Sequence, residues 1–310
     1  MVSRYAWSLH LLTAALTPSF LICLCESLTL ALTHSLLLPL ESRCRSRMAT
    51  LFTKNLDKSE CIYLAQLAQK LGKFDQMAYF MHKWVLSSVL PVELDVEERN
   101  LLFVAQNNVI ESLRTARQTF LAAQQEEREK DCVSSYLYLI GKYISDAEYH
   151  LSKECYNMLE LLKSHLIPPA RATDDKVYYY MTEGDYYRYL AEVKDEEERN
   201  WHAAKAETAY VNAQELATDL IATHETKLNL ALNHSTFLYD FLKKPYEASE
   251  IAKKAFEEAA DELVKTLGKG PYDDSGTTVV MKLIRDKLKV WESEAPGRLH
   301  KRPWRSEFFP

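Results

Sequence analysis

The chain is poor in the residues that tight turns require. Of its 310 residues only 7 are glycine and 10 are proline, and 3 of those prolines fall within the last 15 positions. Because sheet-rich folds need many tight turns, this scarcity excludes β-barrels and favours long helices. Collagen-like chains are excluded too, since they need a glycine at every third position. With 47% hydrophobic and 26% charged residues, the chain has the composition of a globular protein rather than a disordered one.

The low content of basic residues and the spacing of the cysteines exclude further classes of function. Positive charge is in deficit, with 38 lysines and arginines against 44 aspartates and glutamates, and the net charge of −6 argues against non-specific nucleic-acid binding. The 6 cysteines show no metal-site spacing: three lie within residues 1–47, and the others are Cys61, Cys132 and Cys155. We therefore expect reduced thiols in a cytoplasmic protein, and neither nucleic acid, metal nor cofactor as a partner.

Residues 1–47 differ in composition from the rest of the chain. The apolar run from Tyr5 to Leu40 fits neither a signal peptide nor a transmembrane helix, because four residues interrupt it: Pro18, Glu26, His34 and Pro39. Met48 then opens a stretch typical of the start of a soluble protein. Three explanations stay open: a start-site artefact with Met48 as the true initiator, a targeting leader, or a membrane anchor. A membrane is a partner only if the segment is retained.

From residue 48 to 294 the hydrophobic periodicity is helical almost throughout. The first stripe is Leu64, Leu67, Ala68 and Leu71, and Asp75 and Asp95 stand where N-caps of the second and third helices are expected. Further helices are predicted at about 101–125, 133–166, 174–194, 200–221, 225–242, 246–267 and 277–293. The pattern predicts an all-α domain of nine antiparallel helices over 48–294. Residues 295–310 hold three prolines and no periodicity, which predicts a disordered tail.

The common catalytic motifs are incomplete in this chain. His224-Glu225 lacks the second histidine of a zinc-protease motif, and Gly268-Lys269-Gly270 lacks the residues that cradle nucleotide phosphates. The run Glu196–Glu198 is interpreted as a solvated helix face. We therefore do not expect an enzyme.

Polar residues recur two helical turns apart on successive predicted helices, where positions i and i+7 share a face. The pairs are Asn107 with Arg114, Met181 with Arg188, and Asn233 with Asp240. On the last predicted helix one stripe carries Val280, Leu283, Lys287 and Trp291. For any single pair, an ordinary exposed helix face explains the pattern equally well.

Five segments, in order and at matching spacing, resemble the 14-3-3 family over about residues 56–293. They are Glu97–Val109, Gly184–Glu192, Asn229–Phe237, Ala252–Ala259 and Met281–Trp291. The resemblance implies nine antiparallel helices that dimerise through the first four and enclose a concave groove for an extended phosphoserine or phosphothreonine peptide. It further implies an adaptor without catalysis, which clamps, masks or relocates phosphorylated client proteins in signalling.

The resemblance also assigns roles to matching positions. Arg114, Arg188 and Tyr189 match the residues that hold the phosphate, which is sensible chemistry because two guanidiniums fork onto phosphate oxygens while a phenol donates a third bond. Asn233 matches the asparagine that fixes the peptide backbone, and Asp240 stands where the family has a glutamate. The matching groove wall, with its acidic neighbour, comprises Val280, Leu283, Trp291 and Asp286.

Three groove positions depart from the family pattern. Asn107 stands where the family has its third-helix phosphate lysine, and Met181 replaces another basic residue. A charge-assisted hydrogen bond contributes about 1.5–3 kcal/mol, so loss of the lysine is expected to weaken binding roughly tenfold to a hundredfold. Lys287 replaces an asparagine that binds the peptide backbone. It either returns positive charge to the groove or blocks that contact.

The dimer positions are altered as well. Leu67 and Tyr143 keep family contacts, whereas Leu71 replaces a small residue. Gln76 and Asp146 stand where the family commonly pairs an aspartate with a lysine. Because a surface ion pair contributes only about 0–1 kcal/mol, we still expect a homodimer or a heterodimer with related proteins.

Two alternatives to the phosphopeptide adaptor remain. One is a degenerate relative that binds unphosphorylated peptides or acts mainly as a heterodimerisation partner, which the departures at Asn107, Met181 and Lys287 favour. The other is a membrane-anchored scaffold, which requires residues 1–47 to be retained.

Overall fold

The computed structural model describes four segments of the chain: residues 55–88, 93–130, 136–267 and 276–294. Contacts separate two units, Met1–Asp57 and Lys58–Pro310, and every helix described belongs to the second. The expectations for residues 1–47 and 295–310 lie outside the described residues, as does Cys132.

Nine α-helices and no strand occur in the described segments. They are α1 (Lys58–Lys70), α2 (Phe74–Ser87), α3 (Val96–Arg128), α4 (Tyr136–Leu161), α5 (Thr173–Val193), α6 (Glu196–Leu216), α7 (Glu225–Thr236), α8 (Pro245–Leu267) and α9 (Gly276–Glu294). Three helices continue into a tighter or wider turn: α4 into the π-turn Leu162–Leu166, α6 into the 3-10 turn Ala217–Asp219 and α7 into the π-turn Phe237–Phe241. The all-α prediction is confirmed. Across these ranges, none of the helices has the length and apolarity needed to cross a bilayer.

The start of α3 follows directly from its sequence. The Asp95 carboxylate accepts from the backbone N–H of Glu98 at 2.9 Å, and the Glu98 carboxylate accepts from the N–H of Asp95 at 3.1 Å. This reciprocal capping box fixes the predicted N-cap. The prediction that Asp75 caps α2 is wrong. That helix begins at Phe74, so Asp75 lies in its first turn. A negative charge there interacts favourably with the helix dipole.

The C-terminal helices share a core cluster into which α7, α8 and α9 bury their apolar faces. Its largest members are Phe256 on α8 and Trp291 on α9, both at most 2% exposed. Trp291 stacks on Tyr239 with ring centroids 4.5 Å apart and planes 10° from parallel. Alanines of α8 fill the spaces between the large rings, which lets the three helices approach closely.

Helices α5 and α6 pack in unusually close contact at Gly184. A Cβ at this position would lie 2.8 Å from the Cε1 atom of Tyr210, so only glycine leaves room for that buried ring. The close approach brings the Tyr210 hydroxyl to the Asp185 carboxylate, 2.6 Å away. The polar face of α5 is thereby tied to α6.

A histidine lies behind this contact. His234 on α7 is 3% exposed and stacks on Tyr210, with centroids 5.1 Å apart and planes 15° from parallel. Within the described residues neither of its ring nitrogens has a hydrogen-bond partner. Burial lowers the pKa of His234 to about 4; the nearby Glu207 opposes this shift and Lys244 adds to it. The ring is therefore neutral in the folded protein at pH 7.

Replacing His234 by phenylalanine should keep a ring against Tyr210 while removing the titration. Because the unfolded histidine titrates near 6.5 and the folded one near 4, the protein loses about 3 kcal/mol of unfolding free energy as the pH falls from 6.5 to 4. The His234→Phe variant should lose that much less over the same range. Urea unfolding at a series of pH values measures the difference. His150→Gln, at an exposed position of α4, serves as the control, and equal pH dependence of wild type and His234→Phe would contradict the account.

Candidate functional site

The structure brings together the three residues predicted to hold a phosphate. Arg114 projects from α3, while Arg188 and Tyr189 are neighbours on α5. The guanidinium carbons of both arginines lie 4.7 Å from the ring centroid of Tyr189. Two guanidiniums and a phenol are therefore in contact, although they come from two helices that are separated by more than 40 residues in the sequence.

Glu192, one turn beyond Arg188 on α5, holds the two guanidiniums side by side. Its carboxylate accepts from Nε and Nη2 of Arg114 at 3.3 and 3.2 Å and from Nη1 of Arg188 at 3.4 Å. Because like charges repel, the negative charge of Glu192 stabilises the pair of guanidiniums that it contacts. Sequence reasoning missed Glu192, although the spacing of Asp185, Arg188 and Glu192 along α5 was a signal for ion pairing within one face.

Asp185 organises the other side of the site. Besides the Tyr210 hydroxyl, its carboxylate accepts from Nδ2 of Asn233 at 2.9 Å and from Nη2 of Arg188 at 3.4 Å. One carboxylate thus links α5, α6 and α7. Asn233, predicted to bind a peptide backbone, thereby shares a carboxylate with Arg188.

The charge states at the site suit anion binding. Burial by itself lowers the pKa of Arg188, but its negatively charged and phenolic neighbours outweigh this effect and hold the pKa above its ordinary value. Burial, reinforced by Asp185, raises the pKa of Tyr189 to about 12. The phenol therefore stays protonated at neutral pH and can donate a hydrogen bond.

A cavity of about 220 Å³ opens beside these side chains between α3, α5 and α7. Its lining includes Asp185, Tyr189 and Asn233, and also two of the three positions that depart from the family pattern, Asn107 and Met181. Met181 is 5% exposed and Asn107 lies at the surface. The two cavity positions at which the resemblance implies basic residues, 107 and 181, therefore carry no charge. Asn229, to which sequence reasoning gave no role, lines the same cavity.

The predicted apolar wall on α9 needs a correction. Leu283 is 49% exposed, as expected for a groove residue, but Val280 and Trp291 are buried in the core cluster. The exposed apolar side chains that share the Leu283 face are Val279 and Val290, 45% and 50% exposed, at helical spacings of four and seven. An error of one residue in reading the stripe rotates the assigned face by about 100°.

Lys287 and Asp240 pair with each other. The Lys287 ammonium lies 3.5 Å from the Asp240 carboxylate, and both side chains are about half exposed. Asn233 lies on α7, whereas Asp240 lies in the π-turn Phe237–Phe241 that follows it. Asp286, the acidic neighbour on α9, pairs with Arg285 at 2.9 Å.

The predicted dimer residues are exposed apolar side chains in the described protomer. Leu67 on α1 is 42% exposed, and Leu71, in the turn directly after α1, is 65% exposed. The side chains that α1 buries are small: Cys61, Ala65 and Ala68. Tyr143 on α4 is 58% exposed and stacks on Phe120, with ring centroids 5.2 Å apart. Of the first predicted stripe, only Ala68 is buried within the protomer, while Leu64 is partly buried and Leu67 and Leu71 are exposed.

Arg117, one turn beyond Arg114 on α3, is a site neighbour that sequence reasoning missed. Its Nε donates to Glu148 on α4 at 2.8 Å, and its Nη2 donates to the backbone carbonyl of Glu192 at 3.4 Å. It ties α3, α4 and α5 together at the point where the two phosphate-matching arginines meet.

The fold and the site together define an all-helical protein with an aromatic-lined cavity and, around the ring of Tyr189, two arginines suited to an anionic group on an extended ligand. A sequence model described as "14-3-3 protein" matches residues 64–292. The chain is 44% identical over 253 residues to "14-3-3 protein 10" of Solanum lycopersicum, covering 81% of this chain and 99% of the relative. It is 43% identical over 240 residues to "14-3-3-like protein G-BOX factor 14 kappa" of Arabidopsis thaliana (77% and 95%), and 42% identical over 240 residues to a "14-3-3-like protein" of Chlamydomonas reinhardtii (77% and 91%).

The chain belongs to the 14-3-3 family. The proteins of this family are adaptors rather than enzymes; they bind phosphorylated client proteins and form dimers.

Two aspartate substitutions compare how much a buried carboxylate of the site and a more exposed one contribute to the unfolding free energy. Asp185→Asn removes a carboxylate that is 14% exposed and accepts from three side chains, so it should lower the unfolding free energy by about 3 kcal/mol. Asp240→Asn breaks an ion pair whose carboxylate is 54% exposed and should change it by less than about 1 kcal/mol. Urea unfolding at pH 7 measures both. Equal effects of the two substitutions would show that Asp185 does not organise the site.

Proposed function

We propose that this chain is an adaptor that binds phosphoserine or phosphothreonine peptides of client proteins and so clamps, masks or relocates those clients in signalling. The observation that supports it is the convergence of Arg114 and Arg188 on the ring of Tyr189, which itself lines the cavity. Guanidiniums present paired N–H donors that match phosphate oxygens, and a protonated phenol supplies one more. Asn233 provides an amide for the backbone of the bound peptide.

The phosphate has to compete with Glu192 for the two guanidiniums. Each arginine donates to that carboxylate at 3.2–3.4 Å, distances that leave room for a stronger acceptor. A phosphate dianion carries more charge than a carboxylate and more acceptor oxygens, so it can share both arginines with Glu192. Asp185 keeps Arg188 and Asn233 in place during the exchange.

The uncharged residues of the cavity wall lower the affinity of this protein for phosphopeptides, compared with a site that has a lysine at position 107. Asn107 and Met181 supply no charge, and Lys287 pairs with Asp240 rather than standing alone. The same observation favours the second candidate, a degenerate relative that binds unphosphorylated peptides or acts mainly as a heterodimer partner. Dependence on the phosphate distinguishes the two.

Fluorescence anisotropy with a labelled Arg-Ser-x-phosphoSer-x-Pro peptide and its unphosphorylated twin tests the proposal directly. We expect the phosphorylated peptide alone to bind. Arg188→Ala should weaken binding at least about tenfold, since it removes a charge-assisted pair. Arg171→Ala, a largely exposed arginine before α5, is the matched control and should bind like the wild type.

The same titration with Asn107→Lys tests for a gain of phosphopeptide affinity rather than a loss. A lysine at this position of the cavity should tighten phosphopeptide binding about tenfold, because it restores a cation to the neutral wall. Equal binding of the two peptides by the wild type, or equal behaviour of Arg188→Ala and Arg171→Ala, would reject the adaptor and leave the degenerate relative.

We also propose that the chain forms a homodimer or a heterodimer through Leu67, Leu71 and Tyr143, and works in the cytoplasm. Exposed apolar side chains on both α1 and α4 support the dimer, since burying them releases about 25 cal/mol per Å². The buried thiol of Cys155, which forms no disulfide, supports a reducing compartment.

Sedimentation should find the wild type at twice the chain mass. Leu71→Arg should shift it to monomer by placing a charge in the apolar contact. Val211→Arg, at an exposed valine of α6 that is 41% accessible, is the matched control and should stay dimeric. A wild type that is strictly monomeric, or a control that dissociates as readily, would contradict the assignment.

A further inference from the structure

A second cavity lies on another side of the molecule, between the end of α6, α7 and α8. Its volume is about 400 Å³. The floor is aliphatic and rich in alanine: Ala217, Ala222, Leu230, Ala231, Ile251 and Ala255. Small side chains at helix contacts normally let helices close together, but here they leave a space large enough for part of a small ligand.

This cavity is separate from the phosphopeptide site. Helix α7 contributes to both, with Asn229 and Asn233 on one side and Ala231 on the other. At about 100° per residue, Ala231 lies roughly 160–200° around the helix axis from the two asparagines. A molecule bound here would leave the groove open for a peptide.

The rim of the cavity is positively charged. Lys227 and Lys254 stand at its edge with a single carboxylate, Glu258, which is 3.9 Å from the Lys254 ammonium. The Lys227 ammonium donates to the backbone carbonyl of Leu220 at 3.0 Å, and no carboxylate of the described residues lies within 4 Å of it. Its charge is therefore available to an anion at the mouth of the cavity.

From this charge complementarity we infer that the cavity binds a free fatty acid, meaning a single unbranched acyl chain that ends in a carboxylate. The acyl chain lies on the alanine-rich floor, where it displaces water from apolar surface. The carboxylate is held between Lys227 and Lys254. Neither the groove nor a phosphate takes part.

Isothermal titration calorimetry of the full chain with octanoate, decanoate and dodecanoate, each below its micelle concentration, tests this inference. Burial of one methylene is expected to tighten binding about fourfold, so each two-carbon step should give roughly fifteenfold until the floor is filled. Decanol and decyltrimethylammonium share the chain but lack the negative charge, and both should bind at least about tenfold more weakly than decanoate. Saturating phosphopeptide should not displace decanoate.

Two variants connect the binding to this cavity. Ala255→Leu fills the floor, and Lys227→Met removes a rim charge; each should weaken decanoate at least about tenfold while phosphopeptide affinity stays unchanged. Lys153→Met, at an exposed lysine of α4 outside the cavity, is the control. Binding that ignores chain length, tolerates both variants, or is matched by decyltrimethylammonium would overturn the inference, as would displacement of decanoate by the phosphopeptide.

Discussion

The site depends on two carboxylates that offset the repulsion between a pair of neighbouring guanidiniums. Glu192 accepts from Arg114 and Arg188 together, while Asp185 holds Arg188 from the other side. Both carboxylates belong to α5, so that one helix carries the charges and their counter-charges. Gly184 completes the arrangement because its missing side chain lets the Tyr210 hydroxyl reach Asp185.

The same network explains how the site can be retained while its strength changes. Asp185 and Glu192 supply the hydrogen bonds that orient the arginines, whereas Asn107 and Met181 line the cavity and supply no charge. Lys287 does not replace the missing charge in the described structure, since Asp240 neutralises it at 3.5 Å. The residues that position the arginines are therefore different from those at the two departing positions of the cavity.

Sequence reasoning predicted the parts of the structure that local pattern controls. The helices, the cap at Asp95 and the meeting of the phosphate-matching residues follow from periodicity and from motifs at family spacing. The errors have a common physical origin. On α9 a shift of one residue moved the assigned wall to the buried Val280, and no residue pattern in the sequence predicted the π-turn that holds Asp240. Glu192 and Tyr210 were missed because their roles arise only when separate helices pack.

Phosphorus-31 NMR of a bound phosphoserine peptide, titrated with pH, tests the central claim most directly. Free phosphoserine loses its second proton near pH 6, and two guanidiniums that contact the phosphate stabilise its dianion. The account predicts that binding to the full chain lowers this pKa by at least about one unit, and that Arg188→Ala abolishes most of the change. A bound phosphate that still titrates near 6 would show that Arg114 and Arg188 do not hold it.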